Sequence, residues 1–273
     1  MNAPCYAPIG VFDSGIGGLS VLKALRAELP FENFIYLADS GHAPYGEKDA
    51  VHVLARSRAI AQYLIKHQVK ALVMACNTAT AAAIDLLRGE CPGLVLIGVE
   101  PALKPATLRS RTGHIGVIAT RSTLLSTRFR ALLASQAGHA TFTVQPCDGL
   151  ADAIERSAIT GDATETIALC ASYTGAMGLF GTEKDAIDTL VLGCTHYPFA
   201  SEQLRALLGP KVQLIDNGEA IARQTRHRLQ INPAVPDQSL GKVKLFTTGQ
   251  PQALEAAARR WLNLAAQIEM LYF

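Results

Sequence analysis

The tightest constraint on this chain is a pattern written twice. Residues 71–80 read ALVMACNTAT and residues 189–198 read TLVLGCTHYP. Each is an aliphatic run that stops at a small residue, then a cysteine, then hydroxyl, amide or imidazole side chains. Leu72, Val73 and Met74 precede Cys76, and Leu190, Val191 and Leu192 precede Cys194. Such runs lack polar alternation, as strands buried on both faces do. Segments rich in Ala and Leu follow at 79–87 and 200–208 and read as helices. Both cysteines therefore fall where a parallel strand hands over to a helix, the edge at which open α/β sheets take ligands. A thiol at a helix N-terminus is expected to have its thiolate favoured by the dipole and by free N–H groups. Two thiols in matching settings suggest opposed acid–base groups.

The rest of the chain supports the same class. Strands are expected at 9–12, 34–38, 95–99, 115–119, 141–145, 212–215 and 243–247. Helices are expected to about residue 29, then at 49–67, 124–137, 163–173 and 218–229, and from 252 onward. That alternation predicts α/β architecture with mostly parallel sheets flanked by helices. The text IGVIA at 115–119 echoes IGVFD at 9–13, and the two cysteine units follow in the same order. An insertion of about a dozen residues reconciles the two spacings, so a degenerate internal duplication is expected. Two similar lobes would place Cys76 and Cys194 across the cleft between them. Residues 232–236 and Gly241 mark a surface loop.

Composition excludes several alternatives. Hydrophobic residues make up 49% and charged residues 18%, enough for a sizeable core and too apolar for a disordered chain. The net charge is +2, and Lys and Arg are scattered, with no basic run beyond Arg259 and Arg260; nucleic acid is not indicated. The N-terminal text has no signal-peptide pattern, and no apolar stretch reaches the roughly 18 residues of a membrane span. A cytoplasmic protein without membrane partners is expected, with its six cysteines reduced. Cys5, Cys91, Cys147 and Cys170 show no zinc-knuckle spacing and read as packing or incidental exposure.

Asp13-Ser14-Gly15-Ile16-Gly17-Gly18 follows the first strand and invites a dinucleotide reading, since Asp39 ends the next strand like a ribose-binding acid. Ser20 stands where the third glycine belongs, however, and Asp13 places negative charge where pyrophosphate would come. An acid here suits a cationic group or a proton-transfer partner, or simply caps the helix. Pro44-Tyr45-Gly46 is a loop able to close over a small ligand, or an ordinary turn. Asn77-Thr78 and Thr195-His196 follow the cysteines and donate hydrogen bonds without a fixed charge, which suits holding a carboxylate beside a thiolate. A zinc site from Cys76, Cys194 and His196 is the other reading, and it leaves Asn77 and Thr78 without a role.

Together, GVFDSGIGGLSVL, YLADSGHAPYG, ACNTATAAA, GCTHYP and FTTG make the chain, from about Ile9 to Trp261, similar to glutamate racemases of the aspartate/glutamate racemase superfamily. The resemblance implies a cofactor-independent interconversion of L- and D-glutamate that supplies D-glutamate for peptidoglycan. It also implies two flavodoxin-like lobes, residues 1–98 with 211–273 and residues 99–210, with the active site between them. Cys76 matches the thiol that takes the α-proton from D-glutamate, and Cys194 the one that takes it from L-glutamate. Asp13 and His196 match the residues that assist them. Asp13, Ser14, Tyr45, Gly46, Asn77, Thr78, Thr195 and His196 match substrate-binding positions, and Thr123 falls in a second-lobe turn that can reach ligand. The Cys-Pro segment that usually leads to a helpful glutamate is replaced by Pro146-Cys147-Asp148, so Glu155 aligns by spacing alone. Neither a cofactor nor a metal is expected; the partner is a small-molecule substrate, and a homodimer is left open. Aspartate or another small carboxylate is the alternative substrate.

Overall fold

The structure, a computed structural model, describes residues 7–231 and 239–273. Cys5 and the expected loop at 232–236 lie outside these. In chain order the elements are β1 (Ile9–Asp13), α1 (Leu19–Glu28), β2 (Phe34–Ala38), α2 (Ala50–Lys66), β3 (Ala71–Met74), α3 (Asn77–Glu90), β4 (Val95–Gly98) and α4 (Leu103–Arg109). Then come β5 (His114–Ala119), α5 (Arg121–Leu125), α6 (Thr127–Ser135), β6 (Thr141–Pro146), α7 (Leu150–Thr160), α8 (Thr164–Gly175), β7 (Thr189–Leu192) and α9 (Ser201–Leu208). The chain closes with β8 (Gln213–Ile215), α10 (Gly218–Leu229), β9 (Val243–Thr247), α11 (Pro251–Leu262) and β10 (Ile268–Met270).

Two sheets result, ordered β10-β9-β2-β1-β3-β4 and β6-β5-β7-β8. Every pairing in both is parallel. The runs β2-β1-β3-β4 and β6-β5-β7-β8 are the same arrangement, the flavodoxin-like order, in which the ligand crevice opens at the carboxyl ends of the first and third strands. Asp13 and the residues after β3 occupy that crevice in one lobe; Thr120 and the residues after β7 occupy it in the other.

The central strands β1, β3 and β7 are buried along their whole length. Their aliphatic side chains feed apolar clusters on both faces of each sheet. Each such side chain removed from water contributes about 1.5–3 kcal/mol, so uninterrupted aliphatic text is what a central parallel strand requires.

Four local expectations are corrected. The helix expected at 124–137 is two, α5 and α6, because Ser126 adopts an extended conformation and its hydroxyl accepts the Phe129 N–H. Helix α7 is an element outside the expected set, although Gly149 and Gly161 bracket it in the left-handed region and its buried residues fall at helical spacing. Helix α4 hides behind Pro105, which a first turn tolerates. The expected return to the first lobe at residue 211 comes too early: β8 pairs with β7 in the second sheet, and the chain rejoins the first sheet only at β9, beside β2.

Candidate active site

Strand β1 ends at Asp13, which is fully buried. Its carboxylate accepts the Gly15 N–H at 3.1 Å and the Thr195 hydroxyl at 3.0 Å, so it ties its own loop to the residue after Cys194 in the other lobe. Burial raises the Asp13 pKa, opposed by the charge of His196. On the neighbouring strand, Cys76 is the N-cap of α3, and its sulfur accepts the Ala79 N–H at 3.4 Å. Ser14 Oγ lies 3.8 Å from that sulfur. The helix end and Ser14 both favour the thiolate, as the sequence suggested, but they are outweighed. Burial, reinforced by the negative charge of Asp13, pushes the Cys76 thiol up to about 12.

The second thiol has a different setting. After Cys194 the chain makes a tight turn through Tyr197–Ala200 before α9 begins, so Cys194 is not a helix cap. Its partner is His196, whose Nδ1 lies 3.7 Å from the sulfur. The other imidazole nitrogen, Nε2, lies 2.8 Å from Glu155 Oε1 on α7, and the same oxygen accepts the Ile16 N–H at 2.9 Å. Burial disfavours charge on His196, yet Cys194 and Glu155 together raise its pKa well above the ordinary imidazole value. An imidazolium can donate from both nitrogens, one to sulfur and one to carboxylate. The matched cysteine units thus fold into unmatched environments.

The glycine loop explains how the lobes meet. A Cβ on Gly15 would overlap the Glu155 carboxylate, and one on Gly17 would overlap the His196 imidazole. These glycines admit side chains of the other lobe where a dinucleotide-binding loop would admit phosphate. Asp39, the would-be ribose ligand, is occupied by Arg56 and Tyr45.

A cavity of about 260 Å³ lies between the lobes. Of the residues singled out in the sequence, Cys76, Cys194, Ser14, Tyr45, Gly46, Asn77, Thr78, Thr195, His196 and Glu155 line it. Asp13 and Thr123 are buried and do not line it. Thr120 Oγ1 reaches Thr78 Oγ1 at 3.0 Å and Thr123 Oγ1 at 2.9 Å, a hydroxyl chain across the lobes. Sequence reasoning missed Thr120, Ser40, Arg156 and Gln250 on the wall. Thr120 had a signal: it follows IGVIA as Ser14 follows IGVFD. Both ends of the Asn77 amide and the Ser40 hydroxyl are buried without a partner among the described residues. Native proteins leave few such groups unpaired, and on a cavity wall they are free to bond a ligand or water. Among the described residues no three side chains of the His, Cys, Asp and Glu types are placed to hold a metal ion.

One thiol from each of two flavodoxin-like lobes on one small cavity defines a class of two-lobed α/β protein with paired thiols at the lobe interface. The sequence model of the Asp/Glu/Hydantoin racemase family matches residues 18–225, and the chain belongs to that family. It is 48% identical over 271 residues to a glutamate racemase of Ralstonia nicotianae, covering 99% of this chain and 95% of that one. Among solved structures it is similar to glutamate racemase isoform RacE1 of Bacillus anthracis, with TM-score 0.84, 31% identity and 98% of each chain covered. It is also similar to the glutamate racemase of Francisella tularensis solved in complex with D-glutamate, with TM-score 0.80, 28% identity and 98% of each chain covered.

Proposed function

We propose that this protein is a glutamate racemase, interconverting L- and D-glutamate without a cofactor and supplying D-glutamate for peptidoglycan. The observation that carries the reading is the placement of Cys76 and Cys194 on one cavity whose wall also carries the neutral, unpartnered polar atoms of Asn77 and Ser40. The relatives, named glutamate racemases, and the neighbour holding D-glutamate supply the substrate.

Racemisation needs a base on one face of the α-carbon and an acid on the other. Cys194 as thiolate takes the α-proton of L-glutamate, and Cys76 as thiol returns a proton to the opposite face; the D-enantiomer runs the sequence in reverse. The high Cys76 pKa suits the acid role. His196, held by Glu155, places positive charge beside the Cys194 sulfur. Developing carbanion charge spreads into the α-carboxylate, and a fixed donor such as the unpartnered Asn77 amide stabilises it best in a site that excludes water.

Both thiols must stay reduced, which fits the cytoplasm. Among the described residues no helix is long and apolar enough to cross a membrane. A homodimer is the assembly to measure by light scattering.

The test is a circular-dichroism trace of purified protein with D-glutamate, then L-glutamate, with aspartate alongside. Decay of both glutamate signals to zero supports the reading. Decay with aspartate alone replaces it.

A further inference from the structure

Asp39 is the acid that the thiols, the glycine loop and the proposed proton transfer all leave unused. It is fully buried, and its carboxylate is saturated. Arg56 donates from Nε to Oδ2 at 2.9 Å and from Nη2 to Oδ1 at 2.8 Å. The Tyr45 hydroxyl donates to Oδ2 at 2.5 Å and the Thr248 hydroxyl to Oδ1 at 2.7 Å. His42 Nδ1 lies 3.2 Å from Oδ1. Arg56 is itself anchored, donating from Nη1 to the Phe273 carbonyl at 2.7 Å.

This hub ends at the cavity. Tyr45 and Gly46 both line it, and the Gly46 carbonyl accepts a hydrogen bond from Ser122 in the other lobe. Thr120 packs so closely that a Cβ on Gly46 would stand 3.0 Å from its methyl. The loop is therefore both a wall of the cavity and part of the seam between lobes. A buried phenol needs a partner for its hydroxyl, and a buried carboxylate needs a counter-ion. Tyr45, Asp39 and Arg56 meet both needs in series.

We propose that Asp39, with Arg56 as its counter-ion, is a positioning residue that holds the Tyr45–Gly46 loop in its substrate-capturing conformation without touching substrate. The kinetic part of this proposal rests on the glutamate racemase reading.

Asp39→Asn, Tyr45→Phe and the double variant are compared with wild type on glutamate, and hydrogen exchange is followed over residues 43–48. Asp39→Asn should raise KM roughly tenfold while kcat falls less, because the loop binds substrate without taking part in proton transfer. The double variant should be no worse than Asp39→Asn, since both changes break one path. Exchange at 43–48 should quicken in Asp39→Asn while the rest of the chain keeps its protection. Should Asp39→Asn fail to fold, Arg56→Gln and Thr248→Val, each removing part of the same hub, take its place in the comparison. Unchanged exchange at 43–48 overturns the proposal whatever the substrate, as does an unchanged KM or a double variant with multiplied losses. A wild type inert toward glutamate overturns the activity reading instead, and the exchange measurement then decides the proposal alone.

Discussion

The Glu155 carboxylate stands 2.8 Å from His196 and in the same oxygen accepts the backbone N–H of Ile16, from the opposite lobe. One side chain thereby orients the imidazole beside Cys194 and docks the glycine loop that follows Asp13. The same atom thus contributes both to the raised pKa of His196 and to the seam between the lobes.

Replacing Glu155 with Gln removes the negative charge and keeps the shape. Turnover should fall, by no more than the roughly 10²–10⁴-fold that a direct proton-transfer group contributes, because Glu155 acts through His196. The pH–rate profile should shift too, because His196 loses one of the two partners that raise its pKa. Asp152→Asn, one turn earlier and bonded to Arg156 at the cavity mouth, should do little. The reverse ranking would show that the other carboxylate does the work.

The thiols should fail asymmetrically. Cys76→Ala should stop proton abstraction from D-glutamate, and Cys194→Ala should stop it from L-glutamate. Serine should serve little better, since an alkoxide is far harder to form than a thiolate near neutral pH. Both variants should stay folded at a cost of about 1–2 kcal/mol, because little apolar area is lost. Substrates with a leaving group at Cβ report one abstraction at a time. Equal elimination from both enantiomers by either single variant would discard the two-base assignment.

The free Cys76 thiol should remain protonated through neutral pH. Its pKa of about 12 means that the thiolate absorbance difference between wild type and Cys76→Ala should show no step below about pH 10. A step near the ordinary cysteine value would mean that the α3 N-terminus outweighs burial after all.

Asp39 gives an acid-stability signature. Burial raises its pKa, but the hydrogen bonds from Arg56, Tyr45 and Thr248 outweigh burial and hold it below the ordinary 3.8. A carboxyl held low in the fold stabilises above its unfolded value, and that stability is lost as pH falls toward the folded one. Urea midpoints of wild type should therefore drop more steeply than those of Asp39→Asn between about pH 5 and about pH 3. Parallel curves would mean that the carboxyl titrates normally.

Activity should survive EDTA, and the purified protein should show no aldimine absorbance. Cys76, Cys194 and His196 are employed in proton transfer under the proposed reading, and the motif segments contain no lysine placed for a Schiff base. Loss on chelation that zinc restores would revive the metal reading of those three residues.

The paired cysteine units and the parallel strands before them were legible because a central strand demands continuous apolar text. The difference between the two thiols was not. It depends on where the helix starts after each cysteine, and Pro198 with its turn delays α9 in a way that local text resembling ACNTAT conceals. The role of Gly15 and Gly17 was hidden for a related reason: glycine announces close approach but not what approaches. Glu155 comes from a helix that the sequence reading passed over, and Thr120 from a duplication read only as far as its strand. Strand β10 spans Ile268–Met270, too short for alternation to register.

The insertion of β9 beside β2 bears on how the protein is made. As the chain leaves the ribosome, β2 has β1 for one neighbour, but its other edge waits for Val243–Thr247, roughly two hundred residues later, and domains generally fold as they emerge. Until then a buried strand presents unpaired N–H and C=O groups to the cell, an invitation to pair with another chain. Truncation before β9 should thus leave an aggregating first lobe, however complete the thiol-bearing segments are.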